Sequence, residues 1–93
     1  MIKSFKSKEA EAIYNNIAHK AFPREILKVA LRKLEMLHSA SSLRDLKSPL
    51  SNHLEALTGD RKGQWSIRIN LQWRICFVWE DNNAYDVEIV DYH

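Results

Sequence analysis

Apolar and polar positions alternate in two stretches of the chain, residues 65–69 and 73–79. The odd positions of both stretches are all apolar, and the even positions include Ser66, Arg68 and Arg74. A period of two is typical of a strand that buries one face and exposes the other. We therefore predict two strands whose tryptophan-bearing face is core and whose opposite, exposed face carries both arginines. Two arginines fixed on an exposed sheet surface are suited to binding an anion.

A third strand is predicted over residues 85–90, close to the C-terminal end of the sequence. Asn82–Asn83 should form the hairpin turn that leads into it, because asparagine tolerates the positive φ of tight turns. The strand runs into Asp91, Tyr92 and His93. A carboxylate, a phenol and an imidazole are therefore expected at the rim of the sheet.

Two helices are predicted before these strands. Ser7 suits the N-cap of the first, in which helical spacing of apolar residues reaches Ile17 and which should end near Ala21. Pro23 suits the first turn of the second, whose apolar stripe should pack on the sheet opposite its charged residues. The stripe consists of Leu27, Ala30, Leu31, Leu34 and Leu37, and the charged residues are Arg24, Lys28, Arg32 and Glu35.

The segment between the second helix and the sheet is less regular. Ser42 and Asp45 could cap one further helical turn, and Pro49 should prevent its continuation. Residues 54–57 could be a short extended segment. Residues 59–63, with a glycine at each end, read as a tight basic turn. Such a turn could bind a phosphate, although spacing favours a simple hairpin connection.

With residues 2–6 as a short edge strand, the order becomes strand, helix, helix and three antiparallel strands. This order predicts an α+β fold, with both helices on the tryptophan face of one small, mainly antiparallel twisted sheet. The opposite face should be left open. We expect residues 1–93 to form a single domain.

Composition adds limits to this picture. The chain has 93 residues, 45% of them hydrophobic, three tryptophans and a formal net charge of +2. Its single cysteine, Cys76, excludes an intramolecular disulfide, so a reducing cytoplasm is the expected compartment, and the thiol is expected to be packed rather than nucleophilic. No segment is apolar over the length of a signal peptide or a membrane span, so no membrane association is expected.

The charge is unevenly distributed. Residues 61–74 contain four Lys or Arg and no acid, whereas residues 75–93 contain five acids and no Lys or Arg. A positive surface suited to a polyanion is therefore plausible, although charge runs in small proteins are more often solvated surface.

The candidate chemistry is cleavage of a phosphodiester without a metal ion. It requires a proton acceptor for a 2′-hydroxyl, positive charge at the phosphate and a proton donor to the leaving oxygen. Arg68 and Arg74 are the candidate phosphate clamp, and His93 is the candidate acid or base. Asp91 could accept a proton or orient a base, and Tyr92 could stack on a nucleobase or relay a proton. Spacing alone does not establish these roles. It favours the alternative that the C-terminal Asp91, Tyr92 and His93 are frayed and have no catalytic role.

Other chemistries find less support. His19, His38 and His53 lack a second ligand at helical or Cys-x-x-Cys spacing, so a zinc site is not expected. There is no phosphate-binding loop, no dinucleotide fingerprint and no helix-turn-helix. Neither a cofactor nor a metal ion is expected.

Residues 1–5, 59–70, 72–75 and 85–93 together resemble the HigB branch of the RelE/ParE toxin superfamily, the plasmid maintenance system killer proteins. The resemblance implies a RelE-like fold and a ribosome-dependent mRNA endonuclease, an mRNA interferase that inhibits translation by cutting mRNA in the ribosomal A site. It also implies neutralisation by a HigA-type helix-turn-helix antitoxin, with operator DNA bound only by the toxin–antitoxin complex.

The same resemblance implies which residues act. The catalytic set carries over to Arg74, Asp91, Tyr92 and His93, with Arg68 as a further contributor. Contacts with RNA or the ribosome are expected from Arg61, Lys62 and His53, and the resemblance leaves open whether the family histidine near this loop corresponds to His53 or is replaced by Glu55. One departure is Thr58, where members of this family commonly have a lysine, so cleavage could be slower. The rival function is that of a non-catalytic ParE-like toxin, which would inhibit DNA gyrase by binding and would not need the catalytic set.

Overall fold

The computed structural model describes residues 1–17 and 20–91, in which two α-helices precede a four-stranded antiparallel sheet with the strand order β1-β2-β3-β4. This confirms the predicted α+β class. The elements are α1 (Lys8–Tyr14), α2 (Arg24–Ser39), β1 (Glu55–Ala56), β2 (Gln64–Arg68), β3 (Trp73–Glu80) and β4 (Asn83–Asp91), with short 3-10 turns at Leu43–Lys47, Leu50–Asn52 and Gly59–Arg61.

The alternation in β2 and β3 holds as predicted. Trp65 pairs with Phe77 and Ile67 with Ile75 across the two strands, and these side chains belong to one core beneath the helices. The largest side chains excluded from solvent lie here, among them Phe77, Leu34 and Leu37. Apolar burial on this face is therefore the main force that holds the helices on the sheet.

The first residues of the chain lie along the outer edge of β4. Ile2 and Phe5 form isolated parallel bridges with Ala84 and Val87, and backbone hydrogen bonds such as Lys3 N–H to Ala84 O, at 2.8 Å, join the two segments. The predicted edge strand is thus present as two bridges. The contact satisfies backbone groups of β4 that would otherwise be unpaired.

The last hairpin turn lies one residue earlier than predicted. Asp81 and Asn82 have φ of 50° and 62°, and Asn83 already belongs to β4. Two consecutive positive φ values match the handedness of a tight two-residue hairpin, and Asp accepts this conformation almost as readily as Asn.

The prediction that the first helix reaches Ala21 is wrong. Ser7 does cap it, accepting a hydrogen bond from Ala10 N–H at 3.2 Å, but the helix ends at Tyr14. Asn16 takes a left-handed conformation with φ of 61°, and Ile17 N–H donates to Ala12 O at 2.8 Å. This is the geometry of a helix-terminating motif, so Ile17 lies beyond the helix and is 59% exposed.

The second helix follows the prediction with one difference. The charged residues predicted to face solvent are exposed, and Ala30, Leu34 and Leu37 are buried, whereas Leu27 and Leu31 are only half-buried. Lys33 is buried instead. The buried arc is displaced because the segment that follows α2 packs against the Lys33 side of the helix, a contact that periodicity does not report.

That following segment connects the helices to the sheet edge. Asp45 accepts hydrogen bonds from the N–H groups of Ser41 and Ser42, which confirms the predicted cap. Glu55–Ala56 pairs with β2, so the proposed extended segment is a short strand. Gly59 and Gly63 have φ of 64° and 94° and bracket the connection between β1 and β2, which agrees with a hairpin connection.

Candidate functional site

Arg68 and Arg74 are direct cross-strand neighbours on the sheet face that points away from the helices. Like charges placed opposite each other repel, so the pair needs compensating partners or a bound anion. The two guanidinium groups differ in how far the rest of the chain supplies such partners.

Arg74 is held by a set of fixed contacts. Its Nε donates to Ser66 Oγ at 2.8 Å, and its Nη2 donates to the backbone oxygen of His53 at 2.7 Å. Glu55 lies 3.9 Å from the same nitrogen. Because these contacts come from β2 and from the segment before it, the guanidinium has a defined orientation.

The expectation that Arg74 lies on an open, exposed face is wrong. The residue is only 5% exposed, and Ser66 and Cys76 beside it are also buried. The cause is the segment around His53, which covers this part of the sheet. A sequence pattern of period two separates the faces of a strand but contains no information about a distant loop that covers one of them.

Arg68 is half-buried, and within residues 1–17 and 20–91 its side chain has no hydrogen-bond or ion-pair partner. Among the described residues, Arg74 is therefore the member of the pair that contacts protein groups. Arg68 is the guanidinium of the pair that remains able to bind an external anion.

Of the predicted RNA-binding residues, His53 adjoins Arg74, whereas Arg61 and Lys62 precede β2 at the end away from Arg68. Arg61 Nη1 is 3.0 Å from Glu88 Oε2 and 3.2 Å from Gln64 Oε1, so its charge is largely matched within the protein. Lys62 and the side chain of His53 are exposed. His53 has a left-handed backbone, with φ of 43° and ψ of 55°, which lets its carbonyl reach Arg74.

Cys76 occupies the middle of the same face. It pairs with Ser66 in β2 and Glu88 in β4 and is excluded from solvent. Burial raises the pKa of the Cys76 thiol, and the carboxylate of Glu88 acts in the same direction, against the nearby cations. The thiol is thus protonated near neutral pH, which agrees with a packed rather than nucleophilic cysteine.

Asp91 ends β4 on the other side of the sheet. It pairs with Trp73, whose side chain belongs to the helix face, whereas Val90 pairs with Arg74. Gln72 Nε2 donates a hydrogen bond to Asp91 Oδ2 at 3.0 Å. Strand alternation therefore separates Asp91 from the two arginines. Its two predicted roles, accepting a proton and orienting a base, stay predictions.

Tyr92 and His93 lie outside the described residues, so their predicted roles stay predictions.

The structure brings together Arg68, Arg74 and the segment at His53, with Arg61 and Lys62 at the far end of β2. Sequence reasoning missed Ser66, Glu55 and the backbone of His53 as partners of Arg74. Alternation could have placed Ser66 on this face, but no periodic signal marks the other two.

A separate groove lies between the end of α1 and α2. It has a volume of about 350 Å³. Its apolar lining comes from Ile13, Ile17, Leu27 and Leu31, and Arg24 and Lys28 contribute positive charge. α1 ends at Tyr14, and Ile17 beyond that end lines the groove together with Leu27 and Leu31 of α2.

Residues 1–17 and 20–91 contain neither a metal-type cluster nor a membrane-spanning helix. Among these residues, no three His, Cys, Asp or Glu side chains are grouped as a metal site requires. None of the helices described is long and apolar enough to span a bilayer.

Comparison with known proteins decides the family. Residues 3–93 match the family model described as the RelE-like toxin of the type II toxin–antitoxin system HigB. The chain belongs to the HigB-like toxin family. This confirms the resemblance inferred from its sequence motifs, and the match to HigB does not favour a ParE-like gyrase inhibitor.

Two curated relatives of this HigB-like chain agree with the family assignment. Toxin HigB-1 of Vibrio cholerae is 40% identical over 85 residues, which cover 90% of each protein. Endoribonuclease HigB of Proteus vulgaris is 31% identical over 93 residues, the whole of both chains.

Solved structures support the fold alone. YoeB in the YoeB–YefM toxin–antitoxin complex from Staphylococcus aureus aligns with a TM-score of 0.61 at 18% identity, covering 100% of this chain and 98% of that one. YafQ from Escherichia coli aligns with a TM-score of 0.55 at 12% identity, covering 98% and 93%. The HigB-like chain therefore has a RelE-like fold.

Proposed function

We propose that this toxin is a metal-independent endoribonuclease that cuts mRNA in the ribosomal A site. The observation that carries the proposal is the Arg68–Arg74 pair on the sheet face opposite the helices. Membership of the HigB-like family supports it, as does the full-length relative named Endoribonuclease HigB. The cytoplasm, where ribosomes translate, is the proposed place of action.

The arginine pair supplies the electrostatic part of the reaction. Attack of a 2′-hydroxyl on the adjacent phosphorus adds negative charge to the phosphate oxygens before the 5′-oxygen leaves. Arg68 binds that phosphate directly, since its guanidinium fork matches two phosphate oxygens. Arg74, already oriented by Ser66 and His53, adds a fixed positive charge that need not reorganise during the reaction.

Proton transfer is assigned to the end of the chain. His93 acts as general acid or base, Asp91 orients it, and Tyr92 stacks on a nucleobase. These roles rest on the family motif, since Tyr92 and His93 lie outside the described residues. A positioned acid or base contributes about 10²- to 10⁴-fold in rate, so His93→Ala should retain weak activity.

Binding of RNA and the ribosome extends to His53, Lys62 and Arg61. The exposed side chains of His53 and Lys62 are available for phosphate contacts, whereas Arg61 must first weaken its ion pair with Glu88. Phosphate contacts are screened by salt, so binding to ribosomes should weaken as ionic strength rises.

Thr58, at the position where this family commonly has lysine, is exposed just before the turn at Gly59–Arg61. We infer that this toxin is slower than a lysine-bearing one. Thr58→Lys should increase cleavage in a primer-extension assay, and equal cleavage by the two proteins would contradict the inference.

The proposed partner is a HigA-type antitoxin, and the complex rather than the toxin alone binds operator DNA. The solved YoeB–YefM assembly supports a toxin held by an antitoxin as the general arrangement.

The groove between α1 and α2 suits an acidic amphipathic segment of the proposed HigA-type antitoxin, because the groove lining is apolar and carries Arg24 and Lys28. Ile17→Glu should weaken antitoxin binding and leave cleavage unchanged; unchanged binding would exclude the groove.

The deciding experiment maps 5′ ends of mRNA after the toxin is induced in cells. Two copies of one message are compared, one translated and one lacking a start codon, with Arg68→Ala as the control protein. The proposal predicts cuts in the translated copy only and a strong loss with Arg68→Ala. Growth arrest without any new 5′ ends would contradict endoribonuclease activity, and equal cuts in both copies would contradict ribosome dependence.

A further inference from the structure

Two polar side chains are buried in the layer between α2 and the segment that follows it. Lys33 is 3% exposed and Asn52 is fully buried, and the ammonium group of Lys33 donates a hydrogen bond to Asn52 Oδ1. Removing a lysine and an amide from water is costly, and an apolar pair of similar size would often be at least as stable. Lys33 and Asn52 are therefore candidates for a role other than stabilising the fold.

Both the oxygen and the nitrogen of the Asn52 side-chain amide form hydrogen bonds. While Oδ1 accepts from Lys33, Nδ2 donates to the backbone oxygens of Leu46 at 3.1 Å and Ser48 at 3.4 Å and contacts Met36 Sδ at 3.1 Å. A flipped amide would place its donors against the ammonium, so only this orientation satisfies all groups. The irregular segment between residues 43 and 52 is thereby fixed to α2.

The next residue connects this buried pair to the arginine site. Directly after Asn52, His53 turns into the left-handed region, donates its N–H to Leu50 O at 3.1 Å and presents its carbonyl to Arg74 Nη2 at 2.7 Å. Hydrogen bonds at Asn52 and at His53, joined by the backbone between these two residues, therefore connect α2 to the guanidinium on the opposite face of the sheet.

We propose that Lys33 and Asn52 are positioning residues for Arg74: they hold the turn at residues 50–53 so that the His53 carbonyl fixes the guanidinium plane. Neither side chain touches RNA. Misplacement of a catalytic group by about 1 Å can cost on the order of 10²-fold in rate, so a loosened turn should be felt in the reaction step rather than in binding.

The first test measures position without any cleavage assay. The protein labelled with ¹⁵N is compared with Asn52→Leu, and the exchange with water of the Arg74 Nη2–H, the donor to the His53 carbonyl, is followed by NMR. Ile26→Val, a buried change at the start of α2, is the control for lost stability. We expect exchange of the Arg74 Nη2–H to quicken at least about tenfold in Asn52→Leu and to stay within about twofold in Ile26→Val. Unchanged Arg74 exchange in a folded Asn52→Leu protein would overturn the proposal.

A milder variant covers the case in which Asn52→Leu does not fold. Lys33→Met leaves the contacts of Asn52 with Leu46 and Ser48 in place and removes only the ammonium. In this variant, exchange of the Arg74 Nη2–H should also quicken, but by less than in Asn52→Leu. If Arg74 exchange is unchanged in Lys33→Met and Asn52→Leu does not fold, Lys33 and Asn52 contribute to stability alone. That result would overturn the proposal.

The second test rests on the proposed ribonuclease function. Cleavage of mRNA on saturating ribosomes is measured for Asn52→Leu and for the double variant Lys33→Met with Asn52→Leu, which removes both polar partners and should recover melting temperature. Positioning predicts that kcat stays low, roughly tenfold or more below wild type, while KM changes little. Recovery of kcat together with melting temperature would overturn it. A wild-type protein that does not cleave would refute the proposed function, and the NMR test would still decide the positioning role.

Discussion

On the helix side, the sheet buries apolar side chains such as Phe77 and Ile75, whereas on the opposite side it buries Ser66, Arg74 and Cys76. The apolar side chains need only an apolar neighbour, and α1 and α2 supply it. The polar ones need specific partners, and these come from a carbonyl at His53 and a hydroxyl in the adjacent strand. The two faces therefore depend on different physics, non-directional burial on one and directed hydrogen bonds on the other.

The difference bears on function. A directed network fixes the orientation of Arg74, and it leaves Arg68 next to it with no partner in the described part of the chain. A fixed cation beside an available one is suited to binding a phosphate whose charge grows during reaction. The described residues on the helix face of the sheet form the apolar core instead.

The largest expected effect lies on the helix face. Phe77→Ala should reduce the free energy of unfolding by about 3 to 5 kcal/mol, because it leaves a cavity in the core. Val78→Ala, the next residue on the opposite face and only half-buried, should cost about 1 kcal/mol. Urea denaturation of both variants tests the contrast, and equal losses would contradict it.

An intermediate effect is expected for Arg74. Arg74→Met should reduce the free energy of unfolding by about 2 kcal/mol, since the His53 carbonyl and the Ser66 hydroxyl lose their donor. Arg68→Met, its cross-strand neighbour, should stay within about 0.5 kcal/mol of wild type. Thermal and urea unfolding measure both values. If the two substitutions cost the same, the distinction drawn between a fixed and an available arginine fails.

The smallest effect concerns pH. Burial lowers the pKa of Lys33 below its usual 10.5, with a further contribution from Arg32. The unfolded chain then holds the proton more tightly than the folded one, so this residue lowers stability below its folded pKa, and the penalty disappears as pH rises towards 10.5.

The free energy of unfolding of wild type relative to Lys33→Met should consequently increase with pH over that alkaline range. Taking the difference cancels the titration of groups that both proteins share. A difference that is flat, or that falls with pH, would show that burial does not disfavour the charged lysine.

Much of the fold follows from local patterns. Alternation in β2 and β3 predicts the core face and places Arg68 and Arg74 on the opposite one, and Ser7 and the Ser42–Asp45 pair predict their caps. The end of α1 at Tyr14 was missed because apolar spacing continues to Ile17, although the Asn15–Asn16 pair stops the helix. Propensity for a left-handed residue is a weak signal beside a strong apolar stripe.

The site is less accessible from sequence. The residues on one strand face can be assigned from alternation, which also separates Asp91 from Arg74 once the register of β3 and β4 is known. The cover over Arg74 depends on the path of an irregular segment, and Lys33 reads as an ordinary surface lysine of an amphipathic helix. Contacts of this kind are long-range and aperiodic, so only the folded chain reveals them.

The most direct test of the proposed site compares one cation from each face of the molecule. Cleavage of mRNA on saturating ribosomes is measured for Arg68→Ala on the sheet face and for Lys28→Ala, an exposed charge of α2 on the helix side. Loss of a phosphate-binding guanidinium should reduce cleavage by about 10²-fold or more, whereas Lys28→Ala should stay within about twofold. Equal activity of the two variants would contradict the assignment of RNA cleavage to the face that carries Arg68 and Arg74.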